Sequence, residues 1–117
     1  MKHIRTGSAR GKLFKPLLNT TSVQAAMMTL APGKSSSDKP VDEHPKAEQW
    51  LFVVSGSGVA IGKGTRVAIR EGSLLLIQKN EPHQIKNTGR KSLVTINFYA
   101  PPAYTGDGEV KDTVKRD

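Results

Sequence analysis

Hydrophobic and polar positions alternate over short stretches of this chain, and glycine, proline or asparagine breaks the pattern every few residues. That is the signature of strands joined by turns. "SVQAAMMTLAPG", residues 22–33, is mostly apolar and ends in the turn signal Pro32–Gly33. "EQWLFVVS" is rich in residues that favour a pleated, half-buried surface. Gly56 and Gly58 then turn the chain into "VAIG". In "TRVAIR", Val67 and Ile69 alternate with Arg66 and Arg70, which predicts one buried and one solvated face. "SLLLIQ" is continuously apolar at its centre and predicts a strand buried on both sides. "HQIKN" and "SLVTINFYA" complete the set, and "LFKPLL" adds an edge strand, the place where Pro16 is tolerated.

Between "SVQAAMMTLAPG" and "EQWLFVVS", "KSSSDKPVDEHPK" is polar and carries two prolines, so it predicts a solvated loop rather than a helix. No helix longer than a turn and no internal repeat is evident. Short strands at regular spacing imply an all-β sandwich or closed barrel. A chain of 117 residues has room for a single domain, with its core at about 20–101. The tail, 102–117, is polar after Tyr104 and is expected to be loosely held.

The period of two assigns faces. If Gln49 points inward, so do Leu51, Val53 and Ser55, while Glu48, Trp50 and Phe52 face out. His83, Ile85 and Asn87 share another inward face, with Gln84 and Lys86 outside. Met27 and Met28 straddle their strand, so one of them lines the interior.

Composition narrows the chemistry. The absence of cysteine excludes a disulfide scaffold, a thiolate metal site and a cysteine nucleophile. The net charge of +8 invites nucleic acid, but the basic residues are scattered and aromatics make up only 5%. There is no dense patch and no set of rings for stacking bases. The charge reads instead as a solvated surface that favours small anionic molecules. The basic N-terminus lacks the apolar core of a signal peptide, and no apolar run is long enough to span a bilayer. The expectation is a soluble, cytoplasmic protein that does not bind membranes.

Two stretches carry a pattern. The later holds Gly72, Gln78, Asn80, His83 and Asn87; the earlier holds Asp42, His44, Gln49 and Gly56. These resemble the two signatures of the cupin superfamily, G-x5-H-x-H-x3,4-E-x6-G and G-x5-P-x-G-x2-H-x3-N. The second fits at every spacing, with Gln78 in the proline slot and Asn80 in the last glycine slot. The first fits from residue 42 to 56, with Asp42 replacing the leading histidine and Gln49 replacing the glutamate. Its opening glycine is best matched by Gly33, across a loop three residues longer than the pattern. The tail "FYAPPAY" also looks like the end of small bacterial cupins.

The resemblance implies a jelly-roll, or double-stranded β-helix, barrel in a single-domain protein. It points to the mannose-6-phosphate-isomerase-like branch and to a homodimer, with Trp50 and Phe52 against a second copy. Carried over residue by residue, it implies a metal site of Asp42, His44, Gln49 and His83. Nitrogen and oxygen donors of this kind suit iron, manganese, nickel, zinc or copper, with no organic cofactor. The ligand would be a small polar or anionic molecule, and the chemistry isomerase-like or dioxygenase-like. The alternative is a non-catalytic binding or sensor module whose metal site has decayed. Gln49 favours that alternative, since a neutral amide oxygen is a weaker donor than a carboxylate. His3 has no motif around it and reads as surface.

Overall fold

The computed structural model describes residues 1–105 and contains eight strands. These are β1 (Phe14–Asn19), β2 (Gln24–Leu30), β3 (Glu48–Ser55), β4 (Ser57–Gly62), β5 (Thr65–Arg70), β6 (Leu74–Ile77), β7 (His83–Lys86) and β8 (Leu93–Ala100). The only helix among the described residues is a single 3₁₀ turn, Thr6–Ser8. Five strands form one sheet in the order β1-β2-β8-β3-β6, and three form a second, β5-β4-β7. Every paired neighbour is antiparallel. Pro16 lies on β1 at a sheet edge, where its missing N–H breaks no ladder on the open side.

Registration sorts the side chains of the large sheet by face. One inward row runs Gln24, Tyr99, Gln49, Ile77, and the next runs Ala26, Asn97, Leu51, Leu75. Beyond them Leu30, Leu51, Val53, Ile85 and Leu93 fill the space between the sheets, each at most 1% exposed. Apolar burial of this kind is the main force holding the two layers together. Met28 joins that core, whereas Met27 is buried on the other face beneath Ala9 of the N-terminal segment.

Two strands differ from their predicted burial. β6 is not buried on both faces, for Leu74 and Leu76 are 64% and 41% exposed. It is an edge strand, and these two side chains continue the outer row formed by Phe98 and Trp50 and by Ile96 and Phe52. In β5 only Ile69 is buried; Val67 remains 39% exposed because β5 is the outer edge of the small sheet.

The long loop also departs from a solvated strap. Ser35 pairs with Lys86 and Val41 with His83, so the arm runs antiparallel along the free edge of β7. Gln84, expected outside, is buried under this arm and donates to the carbonyl of Ser37. The packed chain continues beyond β8 as well, since Ala103 and Tyr104 are both buried. Residues 106–117 of the expected tail lie outside the described residues.

Two turn positions explain the spacing of the sequence pattern. Gly56 has φ 88°, and a Cβ there would stand 2.3 Å from the carbonyl oxygen of Ser92, so only glycine fits. Asn80 has φ 62°, a left-handed conformation that asparagine tolerates better than most residues. That explains how it serves in a glycine slot.

Candidate functional site

The site lies at the barrel end where β2, β3 and β7 begin and β8 finishes. His44 is fixed by its own turn: Ala47 N–H donates to the His44 carbonyl at 3.0 Å, and His44 Nδ1 meets the Ala47 carbonyl at 3.0 Å. His83 follows the turn at Asn80, its backbone paired in both directions with Val41. The arm bearing Val41 thereby brings His44 to His83. Their ring centroids are 4.8 Å apart, and the residues are 4% and 7% exposed.

Nε2 of His44 faces Oε1 of Gln49 at 2.8 Å. Gln49 Nε2 donates to Asn97 Oδ1 at 2.8 Å, and Asn97 Nδ2 donates to Thr95 Oγ1 at 2.9 Å. All four residues are buried. This chain of bonds works in either direction. With Oε1 toward the ring, both nitrogens of His44 donate; with both amides turned over, Gln49 donates to a neutral ring. Either way both nitrogens of His44 are engaged.

His83 is different. Nδ1 meets the carbonyl of Glu81 at 2.9 Å, and a carbonyl can only accept, so Nδ1 carries the hydrogen. In the neutral ring Nε2 then keeps its lone pair. Burial lowers the His83 pKa and favours that neutral form; the Glu81 carbonyl opposes the shift, His44 reinforces it, and Asp42 opposes it.

A cavity of about 250 Å³ opens beside these groups. Phe14, Met28 and Ile85 give it apolar walls, while Ser36, Glu43, Gln49, His83, Tyr99 and Tyr104 supply polar atoms. Despite the net charge of +8, neither lysine nor arginine lines it among the described residues. Its one ionisable carboxyl among the described residues, Glu43, is pushed up by burial and pulled partly back by His44. The two tyrosine hydroxyls are bonded to each other, and burial raises both pKa values, Tyr99 well above the ordinary range. The rings of Tyr99 and Tyr104 stand edge to face, 4.9 Å apart.

Of the four residues implied as a metal set, Gln49 and His83 border the cavity. His44 packs behind its wall against His83 and Tyr99. Asp42 does not line it, although its charge acts on His83; its neighbour Glu43 does. Among the described residues no group of three or more His, Asp or Glu side chains is placed to hold a metal ion. The donor set is therefore a poor fit to a resident metal, because the imidazole nitrogen that would turn to it is engaged by an amide. Asn87 plays no part in this site. It closes the β7–β8 turn, donating to the carbonyls of Leu30 and Lys91 and accepting from Gly89 N–H.

Glu43, Asn97, Tyr99 and Tyr104 were not singled out in the sequence. A signal for two of them exists: in β8 the polar Thr95, Asn97 and Tyr99 share the inward face, and Ile96 and Phe98 the outward one. A strand with polar residues inside marks a polar interior.

A two-sheet antiparallel barrel with a polar cavity at one end is the double-stranded β-helix architecture. Residues 26–99 match the family model described as "Cupin domain", and the chain belongs to that family. It is 29% identical over 87 residues to the tetracenomycin polyketide synthase protein TcmJ of Streptomyces glaucescens. The match covers 74% of this chain but only 56% of that protein, so the chain spans little more than half of its relative. Among solved structures, one from Bacillus halodurans superposes with a TM-score of 0.77 at 23% identity, covering 88% of this chain and 80% of that one. A Cupin 2 conserved barrel domain protein from Salinispora arenicola gives 0.69 at 16%, covering 85% and 87%. At these identities the structural likeness concerns the fold alone.

Proposed function

We propose that this cupin binds a small, neutral, hydroxylated molecule in the His83–Tyr104 cavity through hydrogen bonds, without a resident metal. The observation that carries the reading is the engagement of both His44 nitrogens, which leaves Nε2 of His83 as the imidazole acceptor next to the cavity, beside the Glu43 carboxyl. A hydroxyl donor from the ligand suits that lone pair, and the walls of Phe14, Tyr99 and Tyr104 suit a compact ring. The volume is below the roughly 300–1,000 Å³ of drug-sized sites, which selects a small metabolite.

The resemblance of the two signatures supports kinship with the mannose-6-phosphate-isomerase-like branch. The lining nevertheless favours a neutral ligand over a phosphorylated or otherwise anionic one, because among the described residues an anion would meet Glu43 rather than a cation. Of the two chemistries the resemblance implies, dioxygenation needs a redox metal. Proton transfer needs only a base, which His83 supplies.

Resorcinol, a planar ring with two hydroxyl donors, tests the reading. Saturation-transfer NMR on chelator-treated protein should show binding that His83→Phe abolishes. Binding that appears only after a divalent metal is added overturns it. The metal reading, with Asp42, His44, Gln49 and His83 as ligands, draws support from the 4.8 Å approach of the two imidazoles. It requires Gln49 to release His44. Metal in untagged protein, with a melting temperature raised by iron, manganese, nickel, zinc or copper, would establish it.

We also propose that a second copy of the chain covers the outer face of β8, β3 and β6. There Phe98, Trp50, Phe52, Leu76 and Leu74 form a flat apolar field, each at least 38% exposed. Exposed patches of this kind commonly mark interaction surfaces.

A further inference from the structure

Gln24 opens β2 on the inward face, in the same row as Tyr99 and Gln49, yet it bonds to neither. Its side chain, 2% exposed, turns instead to the segment after β8. Oε1 accepts from the backbone N–H of Ala103 at 3.1 Å and of Tyr104 at 2.9 Å, and Nε2 donates to the Tyr104 carbonyl at 2.8 Å. One amide thus satisfies three backbone groups about eighty residues away, as a neighbouring strand would.

The segment so held also packs, with Ala103 and Tyr104 buried among Ala26, Ala47 and Tyr99. Residues 101–105 contain no strand beyond an isolated bridge position, and two of the five are proline. What the bonds secure is Tyr104. Its ring packs 4.7 Å from Phe14 and 4.9 Å from Tyr99, and it lines the cavity. Replacing Gln24 by an apolar residue would leave three buried backbone groups unpaired, and release of the segment is the way to rehydrate them.

We infer that Gln24 is a positioning residue of the ligand site: it fixes Tyr104 as a wall of the cavity, so the chain beyond β8 is part of the site. The ligand-binding half of this statement rests on the function proposed above; the positioning half does not. Gln24 reaches the cavity only through Tyr104.

NMR of the full chain separates the two halves. In the wild type, Tyr104 ring protons should be displaced by the ring currents of Phe14 and Tyr99, and the amides of Ala103 and Tyr104 should exchange slowly. In Gln24→Leu those ring signals should move to unstructured values while the methyls of Leu51 and Val53 stay in place. Gln24→Glu retains both acceptor bonds but loses the donor to the Tyr104 carbonyl, and should restore part of the displacement. For resorcinol, Gln24→Leu and removal of the wall by Tyr104→Ala should each weaken binding by about tenfold, and the double variant no further. Unchanged Tyr104 signals in Gln24→Leu overturn the inference. If Gln24→Leu does not fold, unprotected Ala103 and Tyr104 amides in the wild type overturn it equally. If the wild type fails to bind resorcinol but the ring signals respond, the proposed ligand class fails and the positioning role stands.

Discussion

Oε1 of Gln49 stands 2.8 Å from Nε2 of His44, and that bond turns a potential ligand nitrogen into a member of a buried polar chain ending at Thr95. Gln49→Glu should undo this. A carboxylate can no longer donate to Asn97, and it adds an anionic oxygen beside two imidazoles, an oxygen and nitrogen set suited to a divalent ion. The variant is expected to melt several degrees higher with manganese, nickel or zinc, whereas the wild type does not respond. By linkage, saturation at about a hundred times the dissociation constant contributes ~2.7 kcal/mol. Thermal shift with and without each metal checks it.

The outer apolar field makes a prediction about assembly. Phe52→Glu places a charge in the middle of the exposed face, between the rows of β6 and β8. Sedimentation should show a dimer for the wild type and a monomer for the variant, with far-UV circular dichroism unchanged. Trp50, the chain's only tryptophan, lies in the same field, so its emission should shift to longer wavelength as the dimer dissociates.

Tyr99 and Tyr104 are the only tyrosines, which makes their ionisation directly readable by ultraviolet absorbance. Burial raises both, so neither should titrate near the ordinary value of about 10 while the fold is intact. The unfolded chain releases these protons at lower pH than the native chain does. The stabilisation from keeping them is therefore full below about pH 10 and is lost as pH rises further. Absorbance should change together with the loss of structure, not before it. Early, independent titration of one tyrosine would contradict the enclosed geometry.

Asn87→Ala should cost about 2–4 kcal/mol, because it removes a fully buried side chain and strands the carbonyls of Leu30 and Lys91 and the N–H of Gly89. Urea denaturation measures this. Resorcinol binding by the folded fraction should be unaffected, since Asn87 does not border the cavity.

The barrel was legible because its information is local. Alternation in "EQWLFVVS" gave the faces of Gln49, Trp50 and Phe52, and the glycine-rich turns gave the strand breaks. Burial of whole strands was less legible. "SLLLIQ" has the composition of a doubly covered strand, but cover depends on what lies across the sheet, and β6 has nothing on its outer side among the described residues. The site was half legible. His44 and His83 come together as the family resemblance implied, yet Glu43 and Tyr104 enter the cavity through an arm and a terminal segment whose paths are set by contacts far along the chain. The arm, three residues longer than the pattern, pairs along β7 through Ser35 and Val41.

That pairing of the arm with β7 has a further meaning. A naked strand edge is a template on which a neighbouring molecule can add its own backbone, the first step toward aggregates. Here the segment that shields the edge through Ser35 and Val41 also delivers His44 to its place. Protection against runaway self-association and completion of the pocket are thus a single docking event, and a chain caught before that event would be sticky and functionless together.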